Sequence, residues 1–139
     1  MTALLFGHEQ SVAEWVGRQN GKAFEPPYAA FGVLDNEGTL VGGFVFTGYT
    51  GSSIELSLAG GGCLSRGAWR AVLDYVFRQR GCARLQVHTS RRNKRMKKIV
   101  ARGAFHFEGI ARRLYGKDDG VTYSLIADDL PKFRERWKL

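Results

Sequence analysis

Residues 53–77 read SIELSLAGGGCLSRGAWRAVLDYVF, and the fold turns on this stretch. From Ser53 to Ala59 polar and apolar residues alternate. Ile54, Leu56 and Leu58 fall on one side, with Glu55 and Ser57 on the other, which is the period of a β-strand. Three successive glycines, Gly60 to Gly62, end the alternation. Trp69, Val72, Leu73, Val76 and Phe77 then recur at helical spacing, with Arg70 and Asp74 placed for an i,i+4 ion pair and Gly81 as the stop. Glycine lets consecutive backbone N–H groups curl toward one space. The start of the following helix adds its own amides and a partial positive charge. Together such a loop and helix start suit phosphate oxygens, with Ser65 and Arg66 at the helix start. The loop has neither the Lys-[Ser/Thr] of a P-loop nor the G-x-G-x-x-G spacing of a dinucleotide fold, so nucleotide hydrolysis and hydride transfer fall away.

Working outward, Ser11-Val12-Ala13-Glu14 fits a capping box, followed by an apolar stripe of Val12, Trp15 and Val16 and a stop at Gly21. Pro26-Pro27 marks an extended loop. Ala30 to Leu34 and Thr39 to Tyr49 read as a hairpin around the turn residues Asp35-Asn36-Glu37-Gly38. Gly42 and Gly43 inside the second strand predict a bulge or a close approach by another group. On the other side, Arg84 to Thr89 is a strand with Leu85 and Val87 inward. Asn93 to Arg102 is a helix with Met96, Ile99 and Val100 as its apolar face, and Asp128 to Leu139 a short polar helix. The order α-β-β-β-α-β-α-β-β predicts an α+β fold: one mixed, mostly antiparallel sheet flanked by helices. A strand–helix–strand unit over 53–89 implies parallel partners.

The chain of 139 residues is expected to form a single domain, 1–139. Its hydrophobic fraction of 44% argues against global disorder. It shows no membrane-spanning run and no signal-peptide pattern, which predicts a cytoplasmic protein with no membrane partner. Cys63 and Cys82 make no metal spacing, and no metal is expected; both read as free thiols. The net charge is +8, and residues 91–98 hold six cations in eight positions. Such a surface calls for an anionic partner, either a phosphate-bearing cofactor or nucleic acid.

Residues 105–126 add the most specific signal. Phe105-His106-Phe107-Glu108-Gly109-Ile110-Ala111-Arg112 precedes a Lys117-Asp118-Asp119-Gly120 turn and a strand Val121 to Ile126. The pattern Phe-x-x-Glu-Gly-x-x-Arg, the Gly-rich loop and Asn93 twelve residues before Phe105 resemble the general N-acetyltransferase (GNAT) family over about residues 30–127. Short, basic, phage- or prophage-type members are the most similar. The resemblance implies acetyl-CoA (coenzyme A) as cofactor, an amine acceptor and direct acyl transfer. It places the coenzyme's pyrophosphate on Leu58, Ala59, Gly60, Gly61, Gly62, Cys63, Leu64, Ser65, Arg66 and Gly67, with its 3′-phosphate side toward Asn93 and Lys98. Three positions depart from the family: Gly60 stands for the usual Arg or Gln, Ala104 for the Gly before Phe105, and Val100 for the Tyr that protonates the leaving thiolate.

Glu55, on a central strand next to the loop, is the expected base. His88 ends the adjacent strand and acts directly or through water, and Ser57 shares the face of Glu55 and orients a water. Tyr49 and Tyr123 read as core or substrate wall, and Trp137 as a dimer contact in a monomer or homodimer. The acceptor pocket is expected from loops 20–29, 48–53 and 113–120. The alternative is a nucleic-acid-binding protein, or a DNA- or protein-modifying one, of the same fold with lost or altered catalysis.

Overall fold

The computed structural model describes residues 2–137, without the side chains of Phe133, Arg136 and Trp137. The elements run β1 (Ala3–Leu5), α1 (Glu9–Asn20), β2 (Ala29–Leu34), β3 (Leu40–Thr47) and β4 (Ser53–Ala59). After them come α2 (Arg66–Leu73), β5 (Arg84–Ser90), α3 (Lys94–Arg102), β6 (His106–Tyr115), β7 (Asp118–Ile126) and α4 (Leu130–Trp137). The strands make one sheet in the order β1-β2-β3-β4-β5-β7-β6. Every neighbouring pair is antiparallel except β4 and β5, which are parallel. The mixed α+β architecture read from the sequence is the one observed, extended by β1 at the far edge.

Alternation along the strands splits the apolar residues into two layers. On one face Phe44, Phe46, Leu56, Leu85, Val87 and Leu125 pack against Trp69, Val72 and Val76 of the α2 segment and Met96, Ile99 and Val100 of α3. On the other face Val12, Ala13 and Val16 of α1 lie on Ala30, Val45 and Ala59. Full burial of a side chain such as Trp69 or Leu56 is worth about 1.5–3 kcal/mol. Glu55 and Ser57 therefore project from the α1 face, and α1 itself packs mainly on β2, β3 and β4.

Local details correct several expectations. Helix α1 starts at Glu9 with His8 as its cap, so Ser11 lies inside the helix and forms no capping box. Asp74 bonds Arg78 and Gln79 rather than pairing with Arg70. Residues 74–79 loosen into π-helical geometry, and Arg80 N–H reaches back to Tyr75 O at 2.9 Å. The β6–β7 turn is Gly116-Lys117; Asp118, Asp119 and Gly120 belong to β7. The reason is electrostatic, because Arg92 holds Asp118 at 2.9 Å and the Arg113 amide holds Asp119 at 2.9 Å. The expected C-terminal helix is observed as α4, with residues 138–139 outside the described part; the Trp137 contact also falls outside it.

Ala104 stands where the sequence resemblance leads one to expect glycine. Its φ is 59°, the left-handed conformation that glycine adopts without penalty. A non-glycine residue pays about 1–2 kcal/mol there, of which glycine's greater unfolded freedom returns part. Ala104→Gly is expected to stabilise the protein by about 0.5–1 kcal/mol. A rise of a few degrees in thermal midpoint would register it, and an unchanged midpoint would refute it.

Candidate active site

Strands β4 and β5 pair only from Ser53 to Glu55 against Arg84 to Gln86. Beyond that point β4 stays with β3 and β5 with β7, so the two parallel strands part. The split leaves the β5-side edge of Ser57 to Ala59 without a strand partner. Asn20, at the end of α1, donates to Leu58 O at 3.2 Å across this opening. A cavity of about 220 Å³ lies here, lined by Gln19, Asn20, Leu58, Ala59, Gly60 and Asn93, with Arg95, Met96 and Ile99 below. That is under the 300–1,000 Å³ of typical ligand pockets, so it suits a slender chain or a phosphate rather than a whole bulky cofactor.

The glycines of the adjoining loop have separate duties. Gly60 has φ +93°, and a Cβ there would lie 2.3 Å from Val41 O and 2.8 Å from the Trp15 ring. A Cβ on Gly62 would meet Val41 O at 3.0 Å, and one on Gly42 the Cys63 amide at 2.9 Å. These three glycines let the loop lie directly on β3. Gly43 likewise admits Val16 of α1, whose methyl would sit 2.6 Å from a Cβ. The close approach expected for Gly42 and Gly43 is thus observed, and the expected bulge lies beside Gly42: Val33 faces Gly42 and Leu34 faces Leu40, which leaves Val41 as the extra residue of β3. Only Gly61 of the triple faces open space.

Residues 61–64 form one 3-10 turn. Cys63 N–H donates to Gly60 O, and its buried thiol bonds Gly43 O and Ala59 O. Burial pushes that thiol up to about 12, so it is a core group and no nucleophile. Cys63 and Cys82 are free thiols, both buried. Leu64 is among the more exposed apolar residues. Ser65 caps α2 by accepting from Ala68 N–H at 3.1 Å. Arg66 and Gly67 carry the first two amides of α2, which have no carbonyl partner within the helix. Asn93 caps α3, its Oδ1 accepting from Met96 N–H at 3.0 Å, while still lining the cavity. The cation lining the cavity is Arg95, which sequence reasoning did not single out; Lys98 is exposed one turn further along α3.

At the fork itself, Glu55 Oε1 lies 2.9 Å from His88 Nε2, and both side chains are 30% exposed. His88 Nδ1 is held 2.8 Å from Thr122 Oγ1 on β7. The carboxylate is thus aimed by an imidazole that is itself aimed by a hydroxyl. Ser57 Oγ, 9% exposed, accepts from Lys22 Nζ at 3.2 Å. The Tyr115 phenol is pushed up by burial and then by the Glu55 charge. Thr122 and Lys22 were missed because their roles depend on contacts 34 and 35 positions away in the chain. Tyr123 packs on the core side against Phe107, and Tyr49 lies under Arg80. A larger depression of about 870 Å³ lies between α1 and the 22–28 loop, with Lys22 and Phe24 on its wall.

The Phe-x-x-Glu-Gly motif has a structural duty. A bulge between Phe107 and Gly109 sets Glu108 beside Arg84, which grips both carboxylate oxygens, while Ser124 donates at 2.7 Å. The Arg84 guanidinium, then Ser124, hold the Glu108 carboxyl down to about 2, against an ordinary 4.5. A depressed carboxylate stabilises above its unfolded value and loses that contribution as pH falls through the folded one. Glu108→Gln is therefore expected to cost about 0.5–1 kcal/mol at pH 7, the scale of a partly exposed pair. Urea midpoints should show the gap between wild type and variant closing between pH 4.5 and 2. A gap constant across that range would contradict it.

No protein-family model matches the chain, and no curated protein matches it. Solved structures do. The spermidine/spermine N-acetyltransferase SpeG from Vibrio cholerae aligns with TM-score 0.74 at 14% identity, over 95% of this chain and 98% of SpeG. The ribosomal-protein-S5-alanine acetyltransferase from Vibrio fischeri aligns at 0.67 and 19%, over 92% and 93%. A GCN5-related N-acetyltransferase from Brucella melitensis aligns at 0.68 and 23%, over 90% of this chain and 62% of its own. This chain also spans only 62% to 66% of the length of several other matches. The chain has the GNAT acetyltransferase fold.

Proposed function

We propose that the protein is an acetyl-CoA-dependent N-acetyltransferase acting on an amine by direct attack, of the short phage type that its length and charge resemble. The observation that carries this reading is the Glu55–His88 pair seated where β4 and β5 part, beside the cavity under the glycine loop. When bound, acetyl-CoA supplies an acetyl group activated as a thioester. Gly61, the first amides of α2 at Arg66 and Gly67, and the cation of Arg95 suit its phosphates. The unpaired edge of β4 offers amides to polarise the thioester carbonyl. Glu55 accepts the proton that the attacking amine must lose, with His88 and Thr122 fixing its aim. The acceptor enters on the face that α1 leaves open, between the 22–28 loop and the β6–β7 tip. We keep the cytoplasmic setting as part of this proposal; among the described residues no helix is long and apolar enough to cross a membrane.

The nucleic-acid alternative draws less support. Two cations of the 91–98 run are already engaged, Arg92 with Asp118 and Arg91 with Asp119 at 3.9 Å. Calorimetry with acetyl-CoA, followed by a mass-spectrometric screen of amines for a +42 Da product, tests the proposal. Micromolar binding and an acetylated amine support it. No binding, together with salt-sensitive affinity for DNA, overturns it in favour of the alternative.

A further inference from the structure

We infer that Lys22 and Ser57 form the proton relay to the departing thiolate, in the place of the tyrosine absent at position 100. This rests on the acetyltransferase reading above. Gly21, at φ 69°, turns the chain out of α1, and Lys22 N–H closes onto Gly17 O at 2.9 Å. The Lys22 side chain then crosses the Phe24 ring, 4.8 Å from its centroid, and ends on Ser57 Oγ at 3.2 Å. An ammonium only donates, so the serine oxygen is the acceptor in this contact. The single Ser57 proton is left to point elsewhere. Ser57 lies on the same side of β4 as Glu55, two residues nearer the glycine loop, where β4 has parted from β5.

A thioester whose phosphates lie on the loop and whose carbonyl meets an amine at Glu55 has to bring its sulfur past Ser57. As the amine nitrogen bonds to the carbonyl carbon, Glu55 takes the nitrogen's proton. When the carbon–sulfur bond breaks, its electron pair stays on sulfur. Sulfur receives the Ser57 proton, Ser57 is refilled from Lys22 Nζ, and the exposed lysine recovers its proton from water. One proton leaves the amine and one reaches the thiolate, so the exchange balances. The titratable and charged groups on the Ser57 side of the sheet are Lys22 from the end of α1, Glu55 on the same strand and His88 on β5. Ser57 is the catalytic group of the pair, and Lys22 acts through it as a positioning residue.

The test uses coenzyme A itself and needs no acceptor. The thiolate of the bound coenzyme absorbs in the ultraviolet, and its appearance with pH is followed for wild type, Lys22→Met and Lys22→Arg, with calorimetry on the same samples. Lys22 is exposed, so the variants keep the fold. The expected result is an unchanged coenzyme affinity, a thiolate midpoint about one pH unit higher in Lys22→Met, and recovery of most of that shift in Lys22→Arg, which keeps the charge but, because a guanidinium passes on no proton, leaves hydrolysis of bound acetyl-CoA as slow as in Lys22→Met. That shift is a tenfold weaker stabilisation of the thiolate. Bound coenzyme with one midpoint in all three proteins overturns the relay and leaves the acetyltransferase reading standing. Coenzyme that binds none of them overturns both.

Discussion

Glu55→Gln is expected to lower amine acetylation by 10²- to 10⁴-fold while acetyl-CoA affinity stays within about twofold, because a positioned general base contributes on that scale. The amide is isosteric and still meets His88, so the fork keeps its shape while losing its proton acceptor. An effect on turnover without an effect on binding separates chemistry from architecture. Steady-state rates with the amine found in the +42 Da screen, beside calorimetry, check this. If turnover survives the substitution, Glu55 has no place in the chemistry and His88 becomes the first alternative.

The second large effect concerns stability. Gly60→Ala places a Cβ 2.3 Å from a backbone oxygen at φ +93°, where neither strand nor oxygen is free to move away. A strained backbone costs about 1–3 kcal/mol, and forced overpacking a similar amount. The sum, about 3–5 kcal/mol, is a large part of the 5–15 kcal/mol that holds a typical domain together. Gly61→Ala, one residue on with nothing within 4 Å, is expected to change stability by less than about 1 kcal/mol. Gly61→Asp should fold equally well but lose coenzyme affinity at least tenfold, because it sets a carboxylate against phosphate. Urea denaturation of the three variants distinguishes these outcomes, and a Gly60→Ala protein as robust as its parent would refute the packing of the loop on β3.

The contrast between these glycines shows where sequence reading ran out. Three in a row announce a special backbone, but nothing local says that one faces outward while two of them press on Val41. Elements with a strong period were plain: the alternation of β4 and the apolar stripes of α2 and α3 sit where expected. Strand β1 was invisible, because three residues beside a terminus carry no readable alternation. The β6–β7 turn was displaced by pairing with Arg92 and Arg113, which come from elsewhere in the chain or from across the hairpin. In the site, Glu55, Ser57 and His88 were accessible because each lies on a strand whose face can be counted. Their companions Lys22 and Thr122 were not, since a side chain's reach across strands is a property of the folded sheet alone.

Helix α1 roofs β2, β3 and β4, while the same side of β5 and β7 carries polar side chains that bond one another, Arg84, His88, Thr122 and Ser124 among them. On the proposed reading, the carrier's berth and the acceptor's doorway both lie along the seam between these two parts of the sheet. On that reading, drift in the 22–28 segment or the Gly116-Lys117 tip alters which amine is admitted without disturbing the oily layers beneath, and such a lineage changes clientele while retaining its acetyl source.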